Sequence, residues 1–336
     1  SLSSATELDA AVELVATLLA QPSFPEAVLE RERSRAIAGL REALTQPGTL
    51  AARAFTAALY ADHPYGKQTS PESLARIGRE DLVAFHRQHY GANRAAIAIV
   101  GDLDRAAAER IATRLTEQLA PTEPAQALPA PLPSTARKLH IPHPAAQAHI
   151  LVGQPGMTRE DPDYFALLVG NYVLGGGGFV SRLTSEVREK RGFAYSVHSF
   201  LAPQKVAGPF QIGLQTRGSQ AEAALGVVRD TLATFIAEGP SAEELQAARD
   251  NLVNGFGLRL DANAKLLDYV SMIGFYELPL DWLDTYPRQV EAVTVEAVRE
   301  AWQRRIRPEQ LITVIAGGDG DTAATPAAAS AAESAR

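Results

Sequence analysis

Two apolar runs in this chain stand in phase with each other. RAAIAIVGD (94–102) and QLITVIAGG (310–318) each read as a buried strand ended by glycine, with Gly101 and Gly317 lying 216 residues apart. The same shift aligns Leu29 with Leu245, Arg33 with Arg249, Gly39 with Gly255, Tyr60 with Tyr276 and Glu80 with Glu296. The identities are no more than this composition gives by chance. The matched order of elements carries the weight: a helix pair, further helices, then an apolar strand closed by glycine. A duplicated α/β unit is the architecture this predicts.

The helical patterns fall at 8–19, from Pro25 to about 44, at 49–60, 79–90 and 105–119. Residues 120–136, APTEPAQALPAPLPSTA, have no periodicity and read as an extended linker. Strands KLHIPH and AHILVGQ follow, then a helix opened by Asp161 and Pro162. Strands AYSVHSF and GPFQIGLQT come next, with helices expected at 219–237, 241–259, 261–277 and 293–306. The expected division is 1–119 for the later part of a first domain, 120–136 for the linker, 137–318 for a second domain and 319–336 for a disordered tail. The second copy opens near Arg137. Counting back 216 residues puts the expected start of the first copy about 80 residues before Ser1. The first domain is therefore expected to be incomplete at its N-terminus.

Composition narrows the function classes. A net charge of −7 with interspersed signs argues against a nucleic-acid partner. No apolar run approaches the length of a membrane span. With 0 cysteines, thiolate metal sites and disulfides are excluded.

The segment NYVLGGGGFVSRLTSEVREKRGFAYSVHS (171–199) is the most unusual stretch. Its four glycines, 175–178, do not make a Walker loop, because no Lys-Ser/Thr follows at the required spacing. They do not make a dinucleotide fingerprint either, because the sixth position is Val180 and the preceding segment is helical. They read as a helix-to-helix connection using glycine for positive φ and close approach. The next helix is expected to carry Phe179, Val180, Leu183 and Val187 as its apolar stripe, with Gly192 at C′. Arg188 lies beside that stripe, and Tyr195 falls on a strand seven residues later.

These residues, with PSFPEAVLERERSRAIAGLREAL, LYADHPYGKQTSPESLARIGREDLVAFHRQHYGANRAAIAIVGDLD and the closing LITVIAGG, resemble the pitrilysin/insulinase family of zinc metallopeptidases, of the mitochondrial processing peptidase-like kind. The resemblance implies an α+β fold: two homologous α/β domains, each a mixed or antiparallel sheet with helices, around a chamber. It implies peptide substrates bound as an added strand. It further implies an Arg/Tyr pair, which falls on Arg188 and Tyr195. A phenol hydroxyl there would support the oxygen that becomes negative in a tetrahedral intermediate, and a guanidinium would orient the peptide.

The zinc site that the resemblance implies departs from the pattern. The chain contains neither H-x-x-E-H nor H-E-x-x-H, and the third-ligand Glu is replaced by Gly39, which has no donor atom. Glu32 matches a second acidic position of the family, and Glu42 lies three residues beyond Gly39. Among the histidines, His86 and His89 share a helix without a carboxylate at matching spacing. His140, His143 and His149 are expected to face solvent or the chamber wall, and His63 to sit in a turn. His198, three residues from Tyr195 on one strand, is expected on the opposite face.

The expectation is therefore a non-catalytic subunit of a heterodimeric zinc peptidase. No cofactor is expected in this chain, and zinc is expected in a homologous partner carrying H-x-x-E-H. One alternative is a self-contained zinc peptidase whose zinc segment is absent from this chain. Another is a structural or assembly protein related to respiratory-complex core subunits. The resemblance alone leans toward the bacterial periplasm over the cytoplasm.

Overall fold

The computed structural model describes residues 7–320, so the expected tail lies almost wholly outside the described residues. In chain order come α1 (Leu8–Ala20), α2 (Glu26–Ala43), α3 (Pro47–Leu59), α4 (Pro71–Ala75), α5 (Arg79–His89) and α6 (Arg105–Thr116). Strands β1 (Arg137–Ile141) and β2 (Gln147–Pro155) lead to α7 (Tyr164–Asn171), β3 (Ala194–Leu201) and β4 (Pro209–Arg217). Helices α8 (Ala221–Glu238), α9 (Ala242–Asn254), α10 (Asn263–Tyr276), α11 (Trp282–Glu291) and α12 (Val295–Arg305) precede β5 (Ile312–Gly317).

The chain forms two compact units, each discontinuous in sequence. Among the described residues, one gathers those up to Glu42, Thr69–Leu128 and Val253–Arg288; the other gathers Ala43–Gln68, Pro129–Leu252 and those from Gln289 to 320. These edges do not coincide with the expected division at 119 and 137. A duplication counts copies, whereas compactness counts packing, and α3 packs where its apolar stripe is covered.

The second unit is built on a five-stranded sheet of order β1-β5-β2-β4-β3. Only β1 and β5 pair in parallel; the other neighbours are antiparallel. β5 is buried along its whole length, which explains why its sequence runs apolar without alternating. On one face, Ala51, Phe55 and Leu59 of α3, spaced one helical turn apart, pack on Ile312, Val314 and Ala316. On the other face, Ile150, Val152, Phe210, Ile212 and Leu214 are covered by the helical layer of α7, α8 and α12. Trp302 anchors that layer, edge-on to Phe210 at 5.5 Å and to Phe235 at 4.8 Å.

Among its described residues the first unit is helical. α1 packs on α6 and buries Val12 and Ala16, while Arg114 reaches Asp9 at 2.7 Å. The strand expected over 95–100 does not form: that stretch is not paired, and Ile97 is 40% exposed. A strand exists by pairing, and among the described residues this unit has no other strand to offer. Helix α11 has no counterpart among the helices expected from periodicity, because Pro287 interrupts its pattern.

Candidate functional site

The site lies in the second unit, where the glycine run meets β3. After α7 the backbone widens into a π-helical turn over Tyr172–Gly176. A Cβ on Gly175 would stand 2.5 Å from Ser199 Oγ and 2.6 Å from its amide nitrogen, so only glycine allows this approach to β3. Asn171 fastens the same contact: its Nδ2 donates to the Ser199 carbonyl, and its Oδ1 accepts from Ser199 Oγ at 2.8 Å. Gly178 turns the chain at φ +63° into a single 3-10 turn, Gly178–Val180.

The helix begins only after that turn. Buried Ser181 caps it, its Oγ accepting from the Thr184 amide and donating to the Gly178 carbonyl. Leu183 and Val187 are buried as expected. Phe179 and Val180 are not part of the stripe: they are 71% and 77% exposed, because the 3-10 turn places them ahead of the helix. From Thr184 to Glu189 the helix is π-helical, and Arg188 belongs to this stretch. Gly192 ends it at φ +63°, with the Phe193 amide bonded back to the Val187 carbonyl.

This geometry brings Arg188 and Tyr195 together. The Arg188 guanidinium carbon lies 5.1 Å from the centroid of the Tyr195 ring and 4.8 Å from that of Phe179. Tyr195 is 86% exposed. Among the described residues neither the Tyr195 hydroxyl nor the Arg188 guanidinium has a hydrogen-bond or ion-pair partner. The nearby carboxylate of Glu186 is already held by Lys190 and Arg191, both at 2.6 Å, which keep it below the usual carboxylate range. The pair borders a cleft of about 360 Å³ that also touches Thr184 and His198.

His198 corrects an expectation. β3 pairs Ala194 with Thr216 but Val197 with Leu214, so one extra residue is accommodated on β3 between them. This bulge resets the alternation. Tyr195, Ser196 and His198 all open away from the core, while Ala194, Val197 and Ser199 are buried. His198 therefore shares a face with Tyr195. A second cleft, of about 560 Å³, runs from Tyr195 past His198 to His149 and Gln215. Burial in the cleft walls pushes the His198 imidazole below its ordinary range, though its ring stays open to the cleft. Burial, with His143 nearby, does the same for His149. The only sequence signal for this side of the site is the adjoining glycine: Gly213, opposite His198, leaves the imidazole its space.

The other histidines have structural partners. His86 Nε2 bonds to the Leu19 carbonyl at 2.6 Å, and His89 packs against Phe85. His63 holds the turn Pro64–Gly66 by accepting from the Tyr65 amide. His143 reaches the Thr45 carbonyl, and His140 faces Asp319 at 3.6 Å.

The position where the resemblance implies the third zinc ligand offers no donor atom. Gly39 lies exposed on α2 with Glu32 and Glu42, and Glu32 is engaged by Arg31 at 3.0 Å. Among the described residues no three of His, Cys, Asp and Glu converge on a metal-sized site. No helix is long and apolar enough to cross a membrane.

Residues 76–252 match the family model described as peptidase M16 inactive domain. A crystal structure of a peptidase M16 inactive domain from Pseudomonas fluorescens is 38% identical, with a TM-score of 0.89 over 94% of this chain and 77% of that one. The chain belongs to the M16 metallopeptidase family and matches its inactive domain. An uncharacterized zinc protease of Streptomyces coelicolor is 27% identical over 79% of this chain, which spans 60% of that relative's length. A non-peptidase homolog of Helicobacter pylori is 25% identical over 87% of this chain and 68% of its own.

Proposed function

We propose that this chain is the non-catalytic, substrate-binding subunit of a two-chain zinc peptidase that cleaves peptides. The observation that carries the reading is the pairing of Arg188 with Tyr195 at a cleft, both with hydrogen-bonding groups unpartnered among the described residues, in a chain with Gly39 where the resemblance implies a metal ligand. Tyr195 would donate its hydroxyl to the carbonyl oxygen that gains charge, and Arg188 would orient the peptide through its N–H edge. β3 lies at the edge of the sheet, and an extended peptide would add beside its part ahead of Ser199, whose carbonyl Asn171 already holds.

In this reading zinc belongs to a homologous partner carrying H-x-x-E-H, and the bacterial periplasm is the compartment, on the family resemblance alone. The Helicobacter relative named as a non-peptidase homolog supports the non-catalytic part. The zinc-protease name of the Streptomyces relative supports a second reading, a self-contained peptidase longer than this chain.

The test is reconstitution. The purified chain is expected to cleave no peptide from a mixed library and to bind no zinc stoichiometrically. Adding a homologous chain with H-x-x-E-H is expected to produce cleavage that depends on Arg188 and Tyr195. Stoichiometric zinc with cleavage by the chain alone favours the self-contained reading. Cleavage by the pair that ignores Arg188→Lys and Tyr195→Phe defeats the assignment of the site.

A further inference from the structure

Phe179 is a large apolar side chain left open on the surface, and the core does not use it. Its place is nevertheless well defined. Gly178 at φ +63° delivers it into the 3-10 turn, and Ser181 Oγ ties that turn to the following helix. The ring then lies against the Arg188 guanidinium at 4.8 Å, while the Tyr195 ring meets the same group at 5.1 Å. A guanidinium is planar and attracted to aromatic faces, and its five N–H donors lie in its own plane. Rings stacked on those faces would leave the donor edge free. A lone arginine beside a cleft would sample many rotamers; one held between two rings would keep a direction.

We propose that Phe179 is the positioning residue for Arg188. Phe179 and Tyr195 together form an aromatic clamp that turns the guanidinium edge toward the cleft, where it takes a peptide oxygen. The ligand class rests on the peptidase reading above; the clamp does not. Tyr195 has two separable parts, a ring for the clamp and a hydroxyl for the substrate, whereas Phe179 contributes a ring alone.

The test is side-chain Nε–Hε NMR of the full chain with labelled arginine, the Arg188 signal being assigned by its loss in Arg188→Lys. The wild-type signal is expected upfield of solvent-exposed arginines because of ring currents. Phe179→Ala and Phe179→Leu are expected to move it to the exposed position, while Phe179→Tyr and Tyr195→Phe keep it in place. Thermal melts of these variants are expected to match wild type, since Phe179 is not a core residue. In the reconstituted pair, Phe179→Ala is expected to lower kcat/KM about tenfold through misplacement of Arg188, with Phe179→Tyr restoring it.

A wild-type signal already at the exposed position, or one unmoved by Phe179→Ala, overturns the clamp. So does turnover that falls with Arg188→Lys but ignores Phe179→Ala. If the signal moves as expected while turnover ignores Arg188→Lys and Tyr195→Phe, the clamp stands and the assignment of this pair to the peptidase site falls.

Discussion

Gly175 approaches Ser199 so closely that even a methyl group at Gly175 would overlap both the amide and the hydroxyl of Ser199. The end of α7 and the strand bearing Tyr195 are thereby locked in one arrangement. Gly175→Ala must push the turn off β3, an overpacking change that is expected to destabilise the fold by about 1–3 kcal/mol. Chemical denaturation, compared with the exposed control Gly226→Ala, measures it.

Tyr195→Phe separates stability from function. The side chain is exposed and its hydroxyl has no partner among the described residues, so the melting temperature is expected to stay unchanged. If the hydroxyl supports the developing oxyanion, kcat of the reconstituted pair falls by roughly 10²-fold with little change in KM. Steady-state kinetics on one defined peptide decides it.

Arg182 and Glu244 form a two-pronged ion pair at 2.7 and 2.6 Å, and Arg182 also donates to the Gly239 carbonyl and covers the Phe235 ring. Burial alone would raise the Glu244 carboxyl; the hydrogen bonds from Arg182 and Ser241 outweigh it and hold it low. Arg182→Met leaves Glu244 partly buried without that partner, and a loss of about 2 kcal/mol is expected from the missing charged hydrogen bonds. Denaturant midpoints at pH 7 give the value.

Acid should weaken the sheet face carrying His149 and His198. Burial depresses both imidazoles in the folded chain, so unfolded chains bind protons more readily. By linkage, this contribution is fully present above the unfolded histidine pKa of about 6.5 and is lost as pH falls through the folded values. The carboxylate pairs of Asp163 and Glu244 are depressed as well, but theirs is a lower window, below the ordinary carboxylate range. Melting temperatures between pH 7.5 and 5 are expected to fall for wild type and to flatten for His149→Gln/His198→Gln. Equal slopes in the two proteins would rule this out.

Most helices were legible because their apolar residues repeat at the helical period, and β5 because a doubly buried strand is apolar throughout. Arg188 and Tyr195 stand out through the family resemblance rather than through periodicity, and their role remains the proposal made above. His198 was not, since alternation counts residues and cannot register the extra one in the bulge before Val197. Phe179 reads as part of the wrong element for a related reason: an apolar residue next to a helix looks like its first turn, and the sequence does not show that Gly178 turns the chain ahead of it. The strand over 95–100 failed differently. Its pattern is sound, but a pattern describes one strand and pairing requires two.

The wide turn at Thr184–Glu189 also sets a tolerance. In an ordinary α-helix each residue advances the side chain by about 100° around the axis. Removing one residue from this stretch would let it tighten into a regular helix and swing whatever occupies position 188 to a new bearing, with Leu183 still seated in the core. Length between the cap at Ser181 and the stop at Gly192 is thus as much a part of the site as the identity of its side chains. A homologous chain that kept both Arg and Tyr but differed by one residue here would hold the letters of the pair without its aim.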